Sequence, residues 1–349
     1  VFNSPLAPSR DHGGGEDLDR RGNGYTVTEE TFASLSSHWR GPAARAIQWE
    51  CLFVVPVWLR AWWSTFGAGM RPYLCSVRQK DDLLGVAALL IQGDRARLMG
   101  DGEVCDYLDF VVAPGRGEQF FRVLIEHLKG GGISVLDLGP VRGDSTVMTD
   151  LVRVARELDC EISASPEEVT LELQLPETWD GFLLTLSGKE RHEIRRKLRR
   201  LEEAGVVEFR AVEARQEVDR EMETFLALFA MNRADKAAFM TDRMALFFRS
   251  LAEAMAEEEM LRLFFLEIDG MPAATAMCFD YHARVYLYNN AYDRRFRSLS
   301  VGLLSKVLSM RDTIERGRRT YDFLKGGEPY KYRLGGRPVR VYRCEVALR

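Results

Sequence analysis

Histidine is scarce in this chain, five in 349 residues, and none stands in an HExxH or comparable ligand spacing, so no metal site is expected. The six cysteines (Cys51, Cys75, Cys105, Cys160, Cys278, Cys344) include no CxxC pair, and each lies in an apolar or strand-like setting. That favours reduced, buried thiols and a cytoplasmic home. No Ser/His/Asp or Cys/His arrangement is visible, which argues against a covalent enzyme intermediate. No signal peptide is visible either, and the longest apolar stretch, "LFVVPVWLRAWW", is interrupted by Pro56 and Arg60 and is too short for a bilayer. Neither sign of charge dominates: 48 Lys and Arg face 52 Asp and Glu, a net charge of −4. A general attraction to nucleic acid or to an anionic membrane is thereby excluded, and any such contact has to be local.

What is present is a globular composition, 46% hydrophobic and 29% charged, in a length that suits two domains. Residues 1–24 are rich in Gly, Asp, Arg and Ser without periodicity and predict a disordered tail, with order from Tyr25. The rest contains an internal repeat. "DLLGVAALLIQGDRARLM" from Asp82 and "DGMPAATAMCFDYHARVY" from Asp269 share an alanine at one step (Ala87, Ala274) and an Ala-Arg pair at a later one (Ala96-Arg97, Ala283-Arg284). Both alternate as strand, turn, strand. Each is followed by an amphipathic helix, "EQFFRVLIEHLKG" or "GLLSKVLSMRDTIERG", and then by a short strand holding Asp137 or Asp322. The chain therefore reads as two copies of one α/β unit, residues 25–165 and 166–349. The second copy runs strand ("EVTLELQL"), helix ("GKERHEIRRKLRRLEEAG"), strand ("VVEFRAV"), two helices, three strands, helix, the Asp322 strand and a final strand.

That order is the layout of the Gcn5-related acetyltransferase (GNAT) fold. "FVVPVWLRAWWSTFG", "CDYLDFVV", "LSGKERHEIRRKLRRLEEAG", "YLYNNAYDRRFRSLSVGLL" and "YDFLKGGEPYKYRLG" resemble the double-domain acyltransferases associated with bacterial cellulose and exopolysaccharide production, the CelD-like proteins, which are related to the FemAB-type peptidyltransferases. The likeness runs from about Ala46 to Leu334. It implies two tandem GNAT-like domains, each a mixed, mostly antiparallel sheet flanked by helices. It also implies acyl transfer from acetyl-CoA or another acyl-CoA to an amine or hydroxyl of a polysaccharide or glycolipid precursor. One departure is Ala234 in "MNRADK", where the family often has an aromatic. Two alternatives stand beside this reading: an aminoacyl-tRNA-dependent transferase of the FemAB type, and a catalytically silent interaction protein.

The candidate site residues follow. "RSLSVG" has the form R-x-x-S-x-G, one residue away from the R/Q-x-x-G-x-G/A loop on which GNAT enzymes hold the coenzyme A pyrophosphate. Arg297, Ser298, Ser300, Val301 and Gly302 are thus expected at a helix start, where free N–H groups and the dipole favour an anion. A plain helix N-cap at Ser300 is the alternative. The first half offers "APGRGEQF" without the Arg-x-x-Gly lead, so its cofactor site is expected to be degenerate. The strand "YLYNNAY" would pair with the pantetheine arm through Tyr288, Asn289 and Asn290; the two asparagines predict a bulge, or else a loop that begins early. On the basic helix, Ile194, Leu198 and Leu201 form an apolar ridge, leaving Arg191, Arg195 and Arg196 for a phosphorylated acceptor or a peripheral membrane contact, or simply for a solvated face. Contact with a polysaccharide-synthesis complex belongs to the same expectation. Nucleic acid is not favoured, because no aromatics interleave. In "CDYLDF" a strand end would present Asp106, Tyr107 and Asp109 to an acceptor in the cleft. The run "DFLKGGEPYKYRLG" supplies the catalytic candidates Asp322, Glu328, Tyr330 and Lys331. Gly326, Gly327 and Pro329 would turn it back over the cleft as a lid with Lys331 as a mobile cation. In the FemAB-type relatives a lysine in the matching place handles the acyl donor.

Overall fold

Among the described residues, thirteen strands join in one sheet, and both halves of the chain contribute to it. The computed structural model describes residues 24–41, 46–231 and 238–348; the stretch read as a tail, apart from Gly24, lies outside them, as does Ala234. The first half runs β1 (Tyr25–Glu29), α1 (Phe32–Arg40), α2 (Pro56–Phe66), β2 (Arg71–Gln79), β3 (Asp82–Gln92), β4 (Arg95–Leu98), β5 (Val111–Val112), α3 (Gly117–Gly130), β6 (Val135–Arg142) and α4 (Val152–Glu157). After the long β7 (Glu161–Gln174) come α5 (Trp179–Thr185), α6 (Gly188–Glu202), β8 (Val207–Val212), α7 (Arg215–Ala230), α8 (Asp242–Glu257), β9 (Leu261–Ile268), β10 (Met271–Tyr281), β11 (Arg284–Tyr292), α9 (Val301–Glu315), β12 (Thr320–Lys325), α10 (Pro329–Arg333) and β13 (Arg337–Ala347).

The strand order is β1-β2-β3-β4-β6-β13-β7-β12-β11-β10-β9-β8, with β5 beside β3. The last strand, β13, lies between β6 of the first half and β7. The expected division at 165/166 falls inside β7, which passes from one half to the other without a break. Its partners change there: residues 161–166 face the end of β13, and residues 168–174 face the start of β13 and β12, with a register shift between the two stretches.

The repeat is visible as topology. Each half has an antiparallel hairpin (β3–β4, β10–β11), then a helix (α3, α9), then a strand parallel to the hairpin's second strand: β6 beside β4 and β12 beside β11. In both cases the parallel pairing covers only three residue pairs.

Alternation decides the layers. Along β9, Leu261, Leu263 and Phe265 enter a core that also holds Trp58 and Trp62 of α2 and Phe247 and Phe248 of α8. Phe264 enters a second core with Phe182 of α5, Ile194 of α6 and Val307 of α9. One face of the second-half sheet is thus covered by α7, α8 and the first half's α2, the other by α5, α6 and α9. Trp58 packs edge-on to Phe247, Phe279 and Tyr288, so the halves share aromatic core rather than a thin interface. All six cysteines are buried and unpaired.

One local expectation fails. "CDYLDF" is not a strand end: residues 101–110 form a loop whose single bridge joins Leu108 to Val141. Its apolar content reflects burial of Val104, Cys105, Tyr107, Leu108 and Phe110 between the halves, not pairing in the sheet.

Candidate active site

Strands β11 and β12 pair only from Arg284–Tyr286 to Thr320–Asp322 and then part, making a fork. Beyond Tyr286, no strand among the described residues pairs with the β12-facing edge of β11. The cause lies in β11 itself. Met277 of β10 faces Asn289 while Cys278 faces Leu287, which leaves Tyr288 as an extra residue. The side-chain pattern records the bulge: Tyr286 and Tyr288 face the α8 core, and after the inserted residue that role passes to Ala291. A bulged strand bends and twists more strongly, and this carries β11 away from its partner. The bulge sits one residue before the asparagines. They stay in the strand, with the Asn289 Oδ1 accepting from the Asn290 N–H at 3.0 Å.

The loop of residues 101–110 reaches into the fork from the first half. Lys325 Nζ at the end of β12 donates to the Gly102 carbonyl (2.6 Å), and the Tyr288 hydroxyl donates to that of Val104 (3.0 Å). The Tyr107 hydroxyl donates to Asp322 Oδ2 at 2.9 Å. Asp322 is fully buried, with Arg284 Nη1 at 3.4 Å and Arg142 Nη1 at 3.8 Å. Burial raises its pKa, against the pull of Arg284 and Arg142. Asp106 stands near Lys325, Asp322 and Lys331; burial pushes its carboxyl up to about 6, while the Lys325 ammonium and backbone N–H pull it down. Asp109 also lies near 6 through burial, but it turns away from the fork and accepts from the Thr146 N–H (2.9 Å) and hydroxyl (2.6 Å). Of the three acceptor candidates, then, Asp106 and Tyr107 meet at the fork and Asp109 does not.

At the start of α9, Ser300 is left-handed (φ 59°) and makes no side-chain cap. Instead its Oγ accepts from Lys197 Nζ of α6 at 3.3 Å. Gly302 is needed for close approach, since a Cβ there would lie 2.7 Å from the Tyr292 ring. The Val301 and Gly302 N–H groups meet no acceptor among the described residues. Arg297 and Ser298 are exposed on the short 3-10 turn before the helix, and Val301 is buried. Free N–H groups, a lysine and an exposed arginine suit a phosphate.

On α6, Ile194 and Leu201 are buried as the ridge requires. Arg195 and Arg196 are exposed, and Arg196 is engaged by Glu193 at 3.0 and 2.9 Å. Arg191 is half-buried. The residue that α6 delivers to the helix start is Lys197, which the sequence reading passed over. Its position, directly before the ridge residue Leu198, is the signal that could have found it.

The stretch "KGGEPYKYR" is not a lid. Residues Pro329–Arg333 form the one-turn α10, with proline at its first position. Lys331 is only 2% exposed. Its Nζ donates to the carbonyls of Leu324 (3.1 Å), Lys325 (2.5 Å) and Gly326 (3.0 Å) and pairs with Glu328 at 2.9 Å. Those carbonyls converge because Leu324 (φ 58°) and Gly326 (φ 102°) are both left-handed. Lys331 is therefore a fixed clasp on the end of β12 rather than a mobile cation. Tyr330 is half-buried beside Phe323, with Lys306 Nζ 5.1 Å from its ring centre. Burial, with Glu328 adding to it, raises the phenol pKa and keeps the hydroxyl protonated.

No helix among the described residues is long and apolar enough to cross a membrane. No curated protein matches the sequence. Among solved structures the chain is similar to FemX (14% identity, TM-score 0.60, covering 91% of this chain and 96% of that one). It is also similar to a conserved protein of unknown function from Bacteroides thetaiotaomicron (11%, 0.57, 92% and 99%) and to L-PGS from Bacillus licheniformis (10%, 0.50, 83% and 90%). At these identities the likeness is one of fold, and it extends over both halves. Residues 188–332, the stretch that carries the basic helix, the fork and the start of α9, match the family described as the acetyltransferase (GNAT) domain.

Proposed function

We propose that the chain moves an acyl group, acetyl in the simplest case, from acyl-CoA to an amine or hydroxyl of a polysaccharide or glycolipid precursor by direct attack in the fork. The observation that carries this reading is the bulge at Tyr288, which opens an unpaired strand edge leading to a helix start with free N–H groups and Lys197. Val301, Gly302, Lys197 and Arg297 would hold the pyrophosphate, and the edge of β11 around Tyr288, Asn289 and Asn290 would pair with the pantetheine amides. Backbone N–H groups of that edge would also meet the carbonyl oxygen as it gains charge.

Asp106 is the base this reading favours. The first half brings its carboxylate to the fork, and a carboxyl titrating near 6 is ionised at neutral pH yet still able to take a proton. It would remove the proton from the acceptor as the new N–C or O–C bond forms and the C–S bond breaks. The protonated Tyr330 phenol would return a proton to the departing thiolate. Glu328 and Lys331 would act on the reaction only through the shape of the β12 end, and Asp322 through Tyr107. Exposed Arg195 with half-buried Arg191 would meet a phosphorylated or lipid-linked acceptor, which is also how the protein would approach a membrane or a synthesis complex from the cytoplasmic side. The cofactor would sit in residues 166–349, with residues 25–165 shaping the acceptor side.

Titration calorimetry with acetyl-CoA tests the reading. Saturable binding that weakens at least tenfold, about 1.4 kcal/mol, on Gly302→Val is the expected result. A chain that ignores acetyl-CoA but binds aminoacyl-tRNA with a steep salt dependence would move it to the peptidyltransferase class. A chain that binds neither would be a scaffold.

A further inference from the structure

At the opposite end of β11 and β12 from the fork lies a cavity of about 370 Å³, lined by both halves, a size that suits a small molecule. Its floor includes Tyr107 and Tyr286, both buried. The Arg142 guanidinium lies over the Tyr107 ring (5.2 Å) and that of Arg284 over Tyr286 (5.9 Å); such stacking holds a guanidinium plane in a set orientation. Arg319 completes the lining.

The donors of these three arginines are not all used. Arg142 is nine-tenths buried, and its Nε and Nη2 are taken by Asp144 and Glu172, yet Nη1 has no hydrogen-bond partner among the described residues, with the Asp322 carboxylate 3.8 Å away. A buried guanidinium nitrogen without a hydrogen bond is costly. Arg284 engages Glu172 (2.6 Å) and Asp322 through Nη1 alone, and the exposed Arg319 side chain has no partner among the described residues. The carboxylates in the lining are mostly occupied: Asp144 by Arg142, and Asp109 by Thr146. Only Glu50 remains, exposed.

The rim is formed by a two-residue hairpin turn, which needs positive φ at both central residues. The β10–β11 turn consists of His282 (φ 51°) and Ala283 (φ 59°), two adjacent left-handed residues without a glycine, each costing on the order of 1 kcal/mol. The Ala283 carbonyl accepts from the Arg319 N–H at 2.8 Å, so the turn ties the two rim arginines to each other.

We infer that this cavity is a second ligand site, separate from the fork, which takes a compact organic acid or phosphate ester by its anionic end through Arg142, Arg284 and Arg319. The buried Tyr107–Asp322 pair stands between it and the fork, so its ligand and acyl-CoA can be bound independently. Planar guanidinium groups meeting around one cavity match the paired oxygens of a carboxylate or phosphate.

The test is titration of the full chain with succinate and with inorganic phosphate at constant ionic strength, for the parent, Arg319→Gln and Arg284→Gln. The Arg319 side chain makes no hydrogen bond among the described residues, so its replacement should leave the fold intact and is the decisive variant. The expected result is saturable binding of one or both probes, weakened at least tenfold by Arg319→Gln, with acetyl-CoA binding unchanged. Succinate alone would identify a carboxylate ligand and phosphate alone a phosphate ester. Absence of binding to the parent, or equal binding to Arg319→Gln, would overturn the inference. Neither outcome touches the reading of the fork, which acetyl-CoA binding tests separately.

Discussion

The start of α3 and the start of α9 hold equivalent places in the repeated unit, each between a β-hairpin and a strand that runs parallel to the hairpin's second strand. At α9 the Val301 and Gly302 N–H groups of the first turn meet no acceptor among the described residues, and the turn faces Lys197. At α3 the corresponding surface is covered by an acid: a Cβ on Gly117 would come within 2.4 Å of the Asp150 carboxyl carbon. A carboxylate at a helix start satisfies the dipole that a phosphate would otherwise meet. The forks differ likewise. β4 ends after four residues, and Leu108 returns to bridge Val141 of β6, with its N–H on the Pro140 carbonyl at 2.7 Å. β11 runs for nine residues with a bulge at Tyr288, and beyond Tyr286 no strand among the described residues closes its β12-facing edge. One architecture thus supports an open fork beside an uncovered helix start or a sealed one, and the difference lies in a few side chains at the helix start and in strand length.

The largest effect should come from the strand end that only the open fork possesses. Lys331→Met would strip the ammonium from three buried carbonyls and from Glu328. Breaking such a cluster should cost about 3–5 kcal/mol, seen as a lower urea midpoint at unchanged slope. A stability loss below about 1 kcal/mol would mean that the clasp is not what shapes β12.

Next in size is the contribution of the sealed half to the open one. Asp106→Asn should lower turnover by roughly 100-fold, about 2.7 kcal/mol, with little change in acetyl-CoA affinity. Because a base acts when ionised, parent kcat/KM should rise with pH through about 6 and level off. The variant should lose that limb. A retained limb would transfer the role elsewhere. Stability has the opposite sign: with folded pKa values raised to about 6, Asp106 and Asp109 favour the fold below the ordinary carboxylate range and lose that contribution as pH rises through 6.

Exchanging the charge at α9 sharpens the comparison directly. Lys197→Glu gives that helix start an acid like Asp150 and should weaken acetyl-CoA about 30-fold, near 2 kcal/mol, without unfolding the chain. The reverse change, Asp150→Asn, should produce the smallest effect. Stability should fall by roughly 0.5 kcal/mol through loss of the favourable helix-dipole contact, and calorimetry should still count one acyl-CoA per chain. A second equivalent of binding would show that the first half is closed by charge alone.

Much of this protein can be read along the chain. The repeat, the order of elements in the second half, the apolar ridge of α6 and the parallel strand carrying Asp322 are periodic or local features, and local propensity and burial pattern determine them. The start of α9 was legible because it rests on one continuous motif, Arg297–Gly302. The site was not legible where it depends on contacts between distant segments. Tertiary structure alone decided that Lys331 is buried under three carbonyls, that Lys197 and not Arg195 or Arg196 reaches Ser300 from 103 positions away, and that Tyr107 meets Asp322 across 215 positions. "CDYLDF" resembles a strand end because its apolar residues are buried and its aspartates are less so, a pattern that a loop in a cleft produces as well as a sheet. Sequence period records which side chains avoid water; the identity of the atoms that meet them is settled only when β7 and β13 bring the two halves into one sheet.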